Sequence, residues 1–104
     1  MYSVRQTDVF EGWLSRLGDG GAKARILARI DSAKAGNLGD TRRVARGVWE
    51  MRIHTGPGYR VYFTRRGDAI ILLLCGGPKK SQRRDIKRAV KLLAELNLET
   101  HVYG

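Results

Sequence analysis

Residues 48–64 read Val-Trp-Glu-Met-Arg-Ile-His-Thr-Gly-Pro-Gly-Tyr-Arg-Val-Tyr-Phe-Thr, in which two alternating segments flank a Gly-Pro-Gly turn. Alternation of apolar and polar side chains is typical of half-buried strands, and a Gly-Pro-Gly cluster is typical of a chain reversal. The stretch therefore predicts a β-hairpin with strands at 48–54 and 59–64 around a turn at 55–58. The remaining elements can be placed outward from this hairpin.

The predicted hairpin has an apolar face and a polar face, because side chains alternate between the two faces of a strand. A register that keeps the apolar side chains together must pair residues whose numbers have an even sum. Two such registers fit the turn: one sets Arg52 opposite Arg60, and the other sets Arg52 opposite Tyr62. In either register the polar face collects Glu50, Arg52, His54, Arg60 and Tyr62.

The segments on both sides of the hairpin predict an α+β domain. Further strands are predicted at 2–6, 42–47 and 69–75, and Gly76-Gly77-Pro78 is expected to break the last of them, an unbroken apolar run typical of a mid-sheet strand. Helices are predicted at 8–17 after an N-cap at Thr7, at 22–35 and at 81–97, each with one apolar stripe. The order is β-α-α-β-β-β(-β)-α, with one strand fewer if 42–54 form a single bent strand. We expect residues 1–104 to form one small domain whose mainly antiparallel sheet packs against a helical hairpin and a C-terminal helix.

The charge of the chain is high and clustered. The 104 residues include 20 Lys and Arg against 10 Asp and Glu, a formal net charge of +10. Residues 41–66 contain seven arginines and one acid, and residues 78–91 contain seven basic residues and one acid. Because a charge that serves only solubility needs no clustering, these two windows indicate a polyanionic or acidic partner.

The composition excludes several classes of protein. The single cysteine, Cys75, permits no intrachain disulfide, and with two histidines it leaves too few ligands for an ordinary zinc site. No apolar run approaches the roughly 20 residues of a membrane-spanning helix, and residues 1–8 lack the apolar centre of a signal peptide. We therefore expect a cytoplasmic protein with no membrane association, no metal and no small-molecule cofactor.

The polar face of the hairpin is a candidate phosphate site. Two arginines on one face repel each other unless an anion lies between them, so Arg52 and Arg60 indicate bound phosphate, with Glu50 holding one guanidinium in place. His54 and Tyr62 add groups that can exchange a proton or stack on a base.

Lys79 and Lys80 follow the buried strand at the start of the last predicted helix. Lysines at a helix N-terminus oppose the helix dipole, and the backbone N–H groups there favour anions. A bound anion would offset that cost, so the two lysines extend the predicted anion site.

Two stretches carry a resemblance to a known family. Residues 47–63 contain E-x-R-I and GPGYR-x-Y-F, and residues 70–89 contain L-L-x-GG-x-K-x-x-Q-x-x-D-I. The pattern resembles the addiction-module killer proteins, HigB-like members of the RelE/ParE toxin superfamily, and the preceding helical hairpin extends the resemblance over nearly the whole chain. The resemblance implies a small α+β toxin neutralised by a co-expressed antitoxin, which we expect to bind through an acidic segment.

RelE and HigB members of the superfamily cleave mRNA in the ribosomal A site, so the resemblance implies an endoribonuclease whose partners are the ribosome and mRNA. RNA can be cut without a metal, since its own 2′-OH can attack the adjacent phosphate. The protein must then help remove the 2′ proton, stabilise the phosphorane and protonate the leaving oxygen. The candidate catalytic residues are Arg52, His54, Arg60, Lys79 and Glu50. The candidate RNA-binding residues are Arg42, Arg43, Arg46, Tyr62, Lys80, Arg83 and Arg84.

Each candidate catalytic residue has an expected role. Arg52 and Arg60 would clamp the scissile phosphate through planar two-point contacts, and a lysine of the 79–80 pair would offset charge or act as the acid. His54 is the preferred general base, because histidine is the residue type whose unperturbed pKa lies nearest neutral pH. Glu50 is an alternative base or an orienting residue.

A second interpretation is a non-enzymatic binder, either a ParE-like DNA gyrase poison or a nucleic-acid-binding regulator. Many ribosome-dependent members place a Tyr or His acid/base group in the C-terminal segment, and here only His101 and Tyr103 could serve. The Pro78-Lys79-Lys80 stretch also departs from the family, whose members more often have one acidic or polar residue before the lysine. Codon-phased cuts that require ribosomes would separate the nuclease from the binder.

Overall fold

The structure is a computed structural model that describes residues 1–103, with side chains to residue 97. Within these residues the strands are β1 (Ser3–Gln6), β2 (Thr41–Ala45), β3 (Val48–Ile53), β4 (Tyr59–Arg66) and β5 (Ile70–Pro78). The helices are α1 (Asp8–Arg16), α2 (Gly20–Lys34) and α3 (Gln82–Tyr103), and a 3-10 turn at Lys79–Ser81 joins β5 to α3. The strands form one sheet of order β1-β5-β4-β3-β2. The predicted α+β fold and its element order are confirmed.

The sheet is antiparallel except at one edge, where β1 pairs parallel with β5. The β3–β4 hairpin adopts the first of the two predicted registers, since Arg52 pairs with Arg60 and Glu50 pairs with Tyr62. β5 lies between β1 and β4, as expected for an apolar strand buried on both faces. The candidate polar face is therefore continuous across the hairpin.

A helical hairpin covers one face of the sheet. The Thr7 hydroxyl caps α1 by accepting from the Phe10 N–H at 3.0 Å, as predicted, and the Asp19 carboxylate caps α2 by accepting from the Ala22 N–H at 3.0 Å. Both helices turn their apolar stripes to the sheet. The resulting core contains Phe10, Leu14, Ile26 and Ile30 from the helices and Met51, Ile53, Val61, Phe63, Ile71 and Leu73 from the strands.

Helix α3 covers part of the opposite face. Ala89 and Leu93 pack over a second apolar cluster that includes Val48, Tyr62 and Cys75. This second cluster lies toward the β2–β3 turn, and the end of the hairpin near residues 52–60 is left open. The polar face thus has one part beneath α3 and one part exposed to solvent.

The expected strand break at Gly76-Gly77-Pro78 is wrong, because β5 continues to Pro78. The two glycines pair with Val61 and Arg60 of β4. A Cβ atom at Gly76 would lie 2.5 Å from the Trp13 ring, and one at Gly77 would overlap the Asp85 carboxylate. Glycine is therefore required here for close approach of neighbouring groups and does not end the strand.

Among the described residues, no helix combines the length and apolar character needed to cross a membrane. The same residues contain no cluster of three or more His, Cys, Asp or Glu side chains with a geometry that could hold a metal ion.

Candidate active site

A cleft of about 510 Å³ opens at the tip of the β3–β4 hairpin. Its walls are residues 52–60 and Lys79. The cleft thus brings together four of the five candidate catalytic residues: Arg52, His54, Arg60 and Lys79.

The turn at 55–58 gives the cleft its shape. Gly56 and Gly58 have φ values of +52° and +76°, in the left-handed region that glycine tolerates best. The Gly58 carbonyl accepts from the Lys79 N–H at 2.8 Å, which fixes the start of the 3-10 turn beside the hairpin. This contact explains why Lys79, 19 residues further along the chain than Arg60, lines the same cleft.

Asp40 is a member of the site that the sequence analysis missed. Its Oδ1 accepts from Arg52 Nη2 at 2.7 Å and from Arg52 Nε at 3.2 Å, and its Oδ2 lies 2.6 Å from His54 Nε2. The hydrogen bond from Arg52, followed by the contact with His54, lowers the pKa of Asp40 from 3.8 to about 2. Asp40 is therefore a carboxylate at neutral pH and links the arginine to the histidine.

A signal for Asp40 was present in the sequence. In the β2–β3 pairing Thr41 lies opposite Met51, and the Arg52 N–H donates to the Asp40 carbonyl at 3.0 Å. The rule that paired residue numbers have an even sum, applied to the β2–β3 hairpin, places Asp40 directly opposite Arg52 in the pairing and on the same face of the sheet.

The carboxylate also determines which imidazole nitrogen is free. A carboxylate only accepts, so in neutral His54 the proton lies on Nε2 and the lone pair on Nδ1. The side chain of His54 is 73% exposed, which leaves Nδ1 accessible to a ligand. The geometry supplies an oriented proton acceptor at the mouth of the cleft.

Arg29 holds the Asp40 segment against β3. Its Nη1 donates to the Arg52 carbonyl at 2.5 Å, and its Nη2 donates to the Leu38 carbonyl at 3.0 Å and the Asp40 carbonyl at 3.3 Å. Gly39, with φ +68°, gives the guanidinium room, because a Cβ there would lie 2.8 Å from Arg29 Nη2. Burial lowers the pKa of Arg29 from its usual value, and the negative charge of Asp40 opposes that shift.

Glu50 is fully buried and organises the floor of the site. Its Oε1 accepts from Arg60 Nη1 at 3.2 Å and from Arg42 Nε at 3.1 Å, and its Oε2 accepts from Gln82 Nε2 at 2.6 Å. These three donors come from β4, β2 and α3, so one carboxylate joins both basic windows. This geometry suits the orienting role predicted for Glu50. A general base has to reach the substrate from a solvent-exposed position, which the buried Glu50 carboxylate does not occupy.

Tyr62 is placed beneath α3, away from the cleft surface. It is fully buried, so it is not accessible for the base stacking expected of it. Burial raises the pKa of its hydroxyl, with further contributions from the charges of Glu50 and Asp85. The cause of the difference is α3, which covers this part of the polar face.

The comparisons with known proteins identify a family. The model of the family "Phage derived protein Gp49-like (DUF891)" matches residues 13–97, most of the chain. The chain belongs to the Gp49-like family. A relative from Haemophilus influenzae, an uncharacterized protein, is 45% identical over 95 residues, which cover 91% of this chain and 96% of the relative.

Among the candidate RNA-binding residues of this Gp49-like chain, Arg42, Arg43 and Arg83 line one hollow of about 330 Å³, whereas Tyr62 is buried. Arg42 is half-exposed and bonded to Glu50, and the Arg43 guanidinium lies 5.6 Å from the centre of the Trp49 ring. Arg46 is exposed in the β2–β3 turn. The other three, Lys80, Arg83 and Arg84, are exposed on the 3-10 turn and the start of α3. The side chains of His101 and Tyr103, the candidate C-terminal acid/base groups, lie outside the described residues.

We expect Asp40 to stabilise the Gp49-like fold in a pH-dependent way. Because its folded-state pKa lies below the usual 3.8, its contribution is complete above about pH 4 and is lost as the pH falls through about 2. The Tm difference between wild type and Asp40→Asn should therefore shrink as the pH is lowered from 5 to 2 in circular dichroism melts. Asp68→Asn, in the exposed β4–β5 turn, is the control and should change Tm little at any pH. A wild-type to Asp40→Asn difference that stays constant over this range would contradict the assignment.

Proposed function

We propose that this Gp49-like protein is the toxin of a toxin–antitoxin system and cleaves mRNA on the ribosome without a metal. The observation that carries the proposal is the cleft at the hairpin tip, where an oriented imidazole, two arginines and a lysine surround one space. These are the groups that in-line attack by a ribose 2′-OH requires, namely a proton acceptor and several phosphate ligands.

In the proposed reaction the 2′ oxygen attacks the adjacent phosphorus and the bond to the 5′ oxygen breaks, giving a 2′,3′-cyclic phosphate and a 5′-OH. His54 Nδ1 takes the 2′ proton, and Asp40 holds the imidazole through Nε2. Arg60 offers its unused guanidinium N–H groups to the phosphorane, and Glu50 orients that guanidinium. Lys79, which lines the cleft, offsets charge or protonates the leaving 5′ oxygen.

Arg52 takes a modified role in this proposal. Its Nε–H and one N–H of Nη2 are committed to Asp40, so a phosphate can use only the second N–H of Nη2 and the two N–H groups of Nη1. Arg52 therefore positions Asp40, and through it His54, while its remaining N–H groups supply the second half of the clamp.

Family membership supports the proposal without deciding it. The resemblance of residues 47–63 and 70–89 to HigB-like members of the RelE/ParE superfamily is consistent with the Gp49-like match over the same region. The toxin activity, the ribosome and the cytoplasmic site of action come from that resemblance.

One observation favours the second candidate function, a DNA gyrase poison. Both arginines of the cleft are already paired with carboxylates, Arg52 with Asp40 and Arg60 with Glu50. Internal pairing of this kind is also what a protein-binding surface would show. The two functions predict different products in the same induced cells: cut mRNA for the nuclease, and trapped gyrase–DNA complexes for the poison.

Primer extension on a translated message tests the proposal. Purified protein added to a translation reaction should give cuts phased with the codons only when ribosomes are present, and the new 5′ ends should carry hydroxyl groups. Intact mRNA together with accumulation of cleaved gyrase–DNA complexes would overturn the nuclease and favour the poison.

We expect the antitoxin to associate through an acidic segment at a rate that falls steeply with salt. A net charge of +10 steers an acidic partner, and ions screen that attraction beyond about 10 Å at 0.1 M salt. Stopped-flow association between 25 and 400 mM NaCl should show the on-rate falling at least tenfold, with a much smaller change in the off-rate. An on-rate independent of salt would contradict the acidic-segment prediction.

A further inference from the structure

A second cationic surface lies beside the cleft, on the 3-10 turn and the first two turns of α3. A hollow of about 570 Å³ is lined there by Lys80, Ser81, Arg83, Arg84 and Lys87. We call the four cations among them, Lys80, Arg83, Arg84 and Lys87, the basic ridge. All four are exposed, and Lys87 was not among the candidate residues predicted from sequence.

The charge of the basic ridge is largely unpaired, unlike that of the cleft. Among the side chains of residues 1–97, no Asp or Glu oxygen lies within 4.0 Å of Lys80, Arg83 or Lys87. Arg84 lies 4.0 Å from Asp85, whose Oδ2 already accepts from Ser81 at 2.5 Å. The ridge therefore has positive charge available for an external anion, whereas Arg52 and Arg60 have carboxylate partners.

The spacing of the ridge suits a linear polyanion. Arg83 and Arg84 each lie three or four residues from both Lys80 and Lys87, so the four side chains share one helix face. From Lys80 to Lys87 the rise is about 10 Å at roughly 1.5 Å per residue. A stacked nucleic-acid strand presents about three phosphates over that length, at about 3.4 Å each.

We infer that the basic ridge binds the sugar-phosphate backbone of single-stranded RNA and holds it in line with the cleft, an inference that rests on the proposed function. The two surfaces are continuous, since Lys79 lines the cleft and the next residue, Lys80, lines the hollow of the ridge. A polymer with regularly spaced charges can therefore contact both at once.

The chemistry of the lining favours RNA backbone over an acidic polypeptide. Among residues 1–97, every residue that lines the hollow is cationic or a serine, and none is aromatic or aliphatic. Protein partners draw most of their binding energy from apolar and aromatic anchors, which this hollow does not offer. Phosphate contacts need only cations, and without aromatic stacking they bind all base sequences similarly.

The test measures binding of a 12-nucleotide 2′-O-methyl RNA, which has no free 2′-OH and cannot be cut by 2′ attack. Affinity is measured by fluorescence anisotropy between 50 and 300 mM NaCl for the full-length chain and two triple variants. The ridge variant is Lys80→Gln/Arg83→Gln/Lys87→Gln. The matched control, Arg5→Gln/Arg16→Gln/Arg25→Gln, removes the same net charge from exposed cations on β1, α1 and α2.

The ridge variant should bind at least tenfold more weakly at 100 mM salt. The slope of log K against log[NaCl] should be shallower by about 2, since each lost contact to a single strand is worth about 0.7. The control should change the slope by less than 0.5, and uridine and adenosine oligomers should be affected equally. Equal slopes for the ridge and control variants, with melting curves confirming that both are folded, would overturn the inference.

Two further measurements separate the other outcomes. If the ridge variant binds RNA like the control but loses affinity for polyglutamate, the ridge binds an acidic polypeptide and the RNA inference is wrong. If wild type binds RNA through the ridge but cuts no mRNA on ribosomes, the nuclease proposal fails while the ridge assignment stands. If the wild-type protein cuts mRNA on ribosomes but the ridge variant keeps the wild-type salt slope of RNA binding, the nuclease proposal stands and the ridge assignment is wrong.

Discussion

Arg60→Ala is expected to abolish growth inhibition and to lower the single-turnover cleavage rate by about 10²–10³-fold, the usual effect of removing one donor that stabilises a developing oxyanion. Only 12% of the Arg60 side chain is exposed, and its Nη1 donates to Glu50 at 3.2 Å. The guanidinium is therefore fixed before substrate arrives. A fixed donor contributes most in the transition state, because no reorganisation is needed there.

Because Arg60 contacts Glu50, the Arg60→Ala substitution affects the stability of the fold as well as the phosphate site. The Arg60 side chain lies on the polar face of β4, so its removal would leave the apolar core intact. However, the partner carboxylate is fully buried, and removing one member of a buried ion pair costs about 3–5 kcal/mol. Arg42 and Gln82 remain to satisfy Glu50, which should reduce that cost. A loss of toxicity in Arg60→Ala alone would therefore combine folding and catalysis.

A second variant separates the two effects. Glu50→Gln/Arg60→Gln replaces the buried charge pair with two neutral amides, which should recover most of the stability but no phosphate clamp. If Arg60 acts on substrate, the double variant stays inactive although it is folded. If Arg60 is only structural, the double variant regains toxicity and the clamp assignment is wrong. Arg65→Ala, on the same strand but bonded to Tyr2 at the opposite end, should remain toxic.

The alternation of side chains along the strands predicts which face of the sheet each residue occupies, but it does not predict the register of the hairpin. Alternation in β3 and β4 was sufficient to place Arg52, His54 and Arg60 on one face and to limit the hairpin to two registers. The choice between these registers depends on turn geometry, specifically on the positive φ values of Gly56 and Gly58. Periodicity carries no information on those angles.

Asp40 could have been placed beside Arg52 from the strand pattern, whereas the other unpredicted features of the site depend on tertiary contacts. Arg29, on α2, fixes the segment before β2 by donating to the Leu38 and Asp40 carbonyls, and it also donates to the Arg52 carbonyl of β3. Burial of Tyr62 depends on the course of α3, which passes over one half of the polar face and leaves the other half open. A strand pattern distinguishes the two faces of a sheet, but it does not show which part of a face another element covers.

Because Arg52 pairs with Asp40, and Arg60 with Glu50, the two neighbouring arginines do not by themselves indicate a bound anion. The repulsion that suggested a phosphate between Arg52 and Arg60 is relieved within the chain by two carboxylates, one partly exposed and one buried. The cleft therefore requires no anion for stability. In the proposed function, its fixed arginines, its lysine and the adjacent basic ridge bind the phosphates of the RNA only when the substrate is present.

His54→Gln is expected to lower the single-turnover cleavage rate on saturating ribosomes by about 10²–10⁴-fold, the usual contribution of one acid–base group. The side chain is 73% exposed and lies at the end of β3, so the substitution should leave the fold and the affinity for ribosomes near those of wild type. Glutamine can keep a hydrogen bond to Asp40 but cannot accept a proton at neutral pH. The loss would then report on proton transfer alone.

Asp40→Asn provides the matched variant for this test. It keeps the imidazole but removes the carboxylate that holds Nε2–H at 2.6 Å, so the rate should fall less than in His54→Gln. Combining the two substitutions should give little further loss, because Asp40 acts through His54. The ¹⁵N shifts of the His54 ring give a readout independent of activity: protonation on Nε2 should dominate in the neutral ring of wild type and be weakened in Asp40→Asn. A His54→Gln rate within about threefold of wild type would remove His54 from the mechanism and assign proton transfer to another group of the cleft, first of all Lys79.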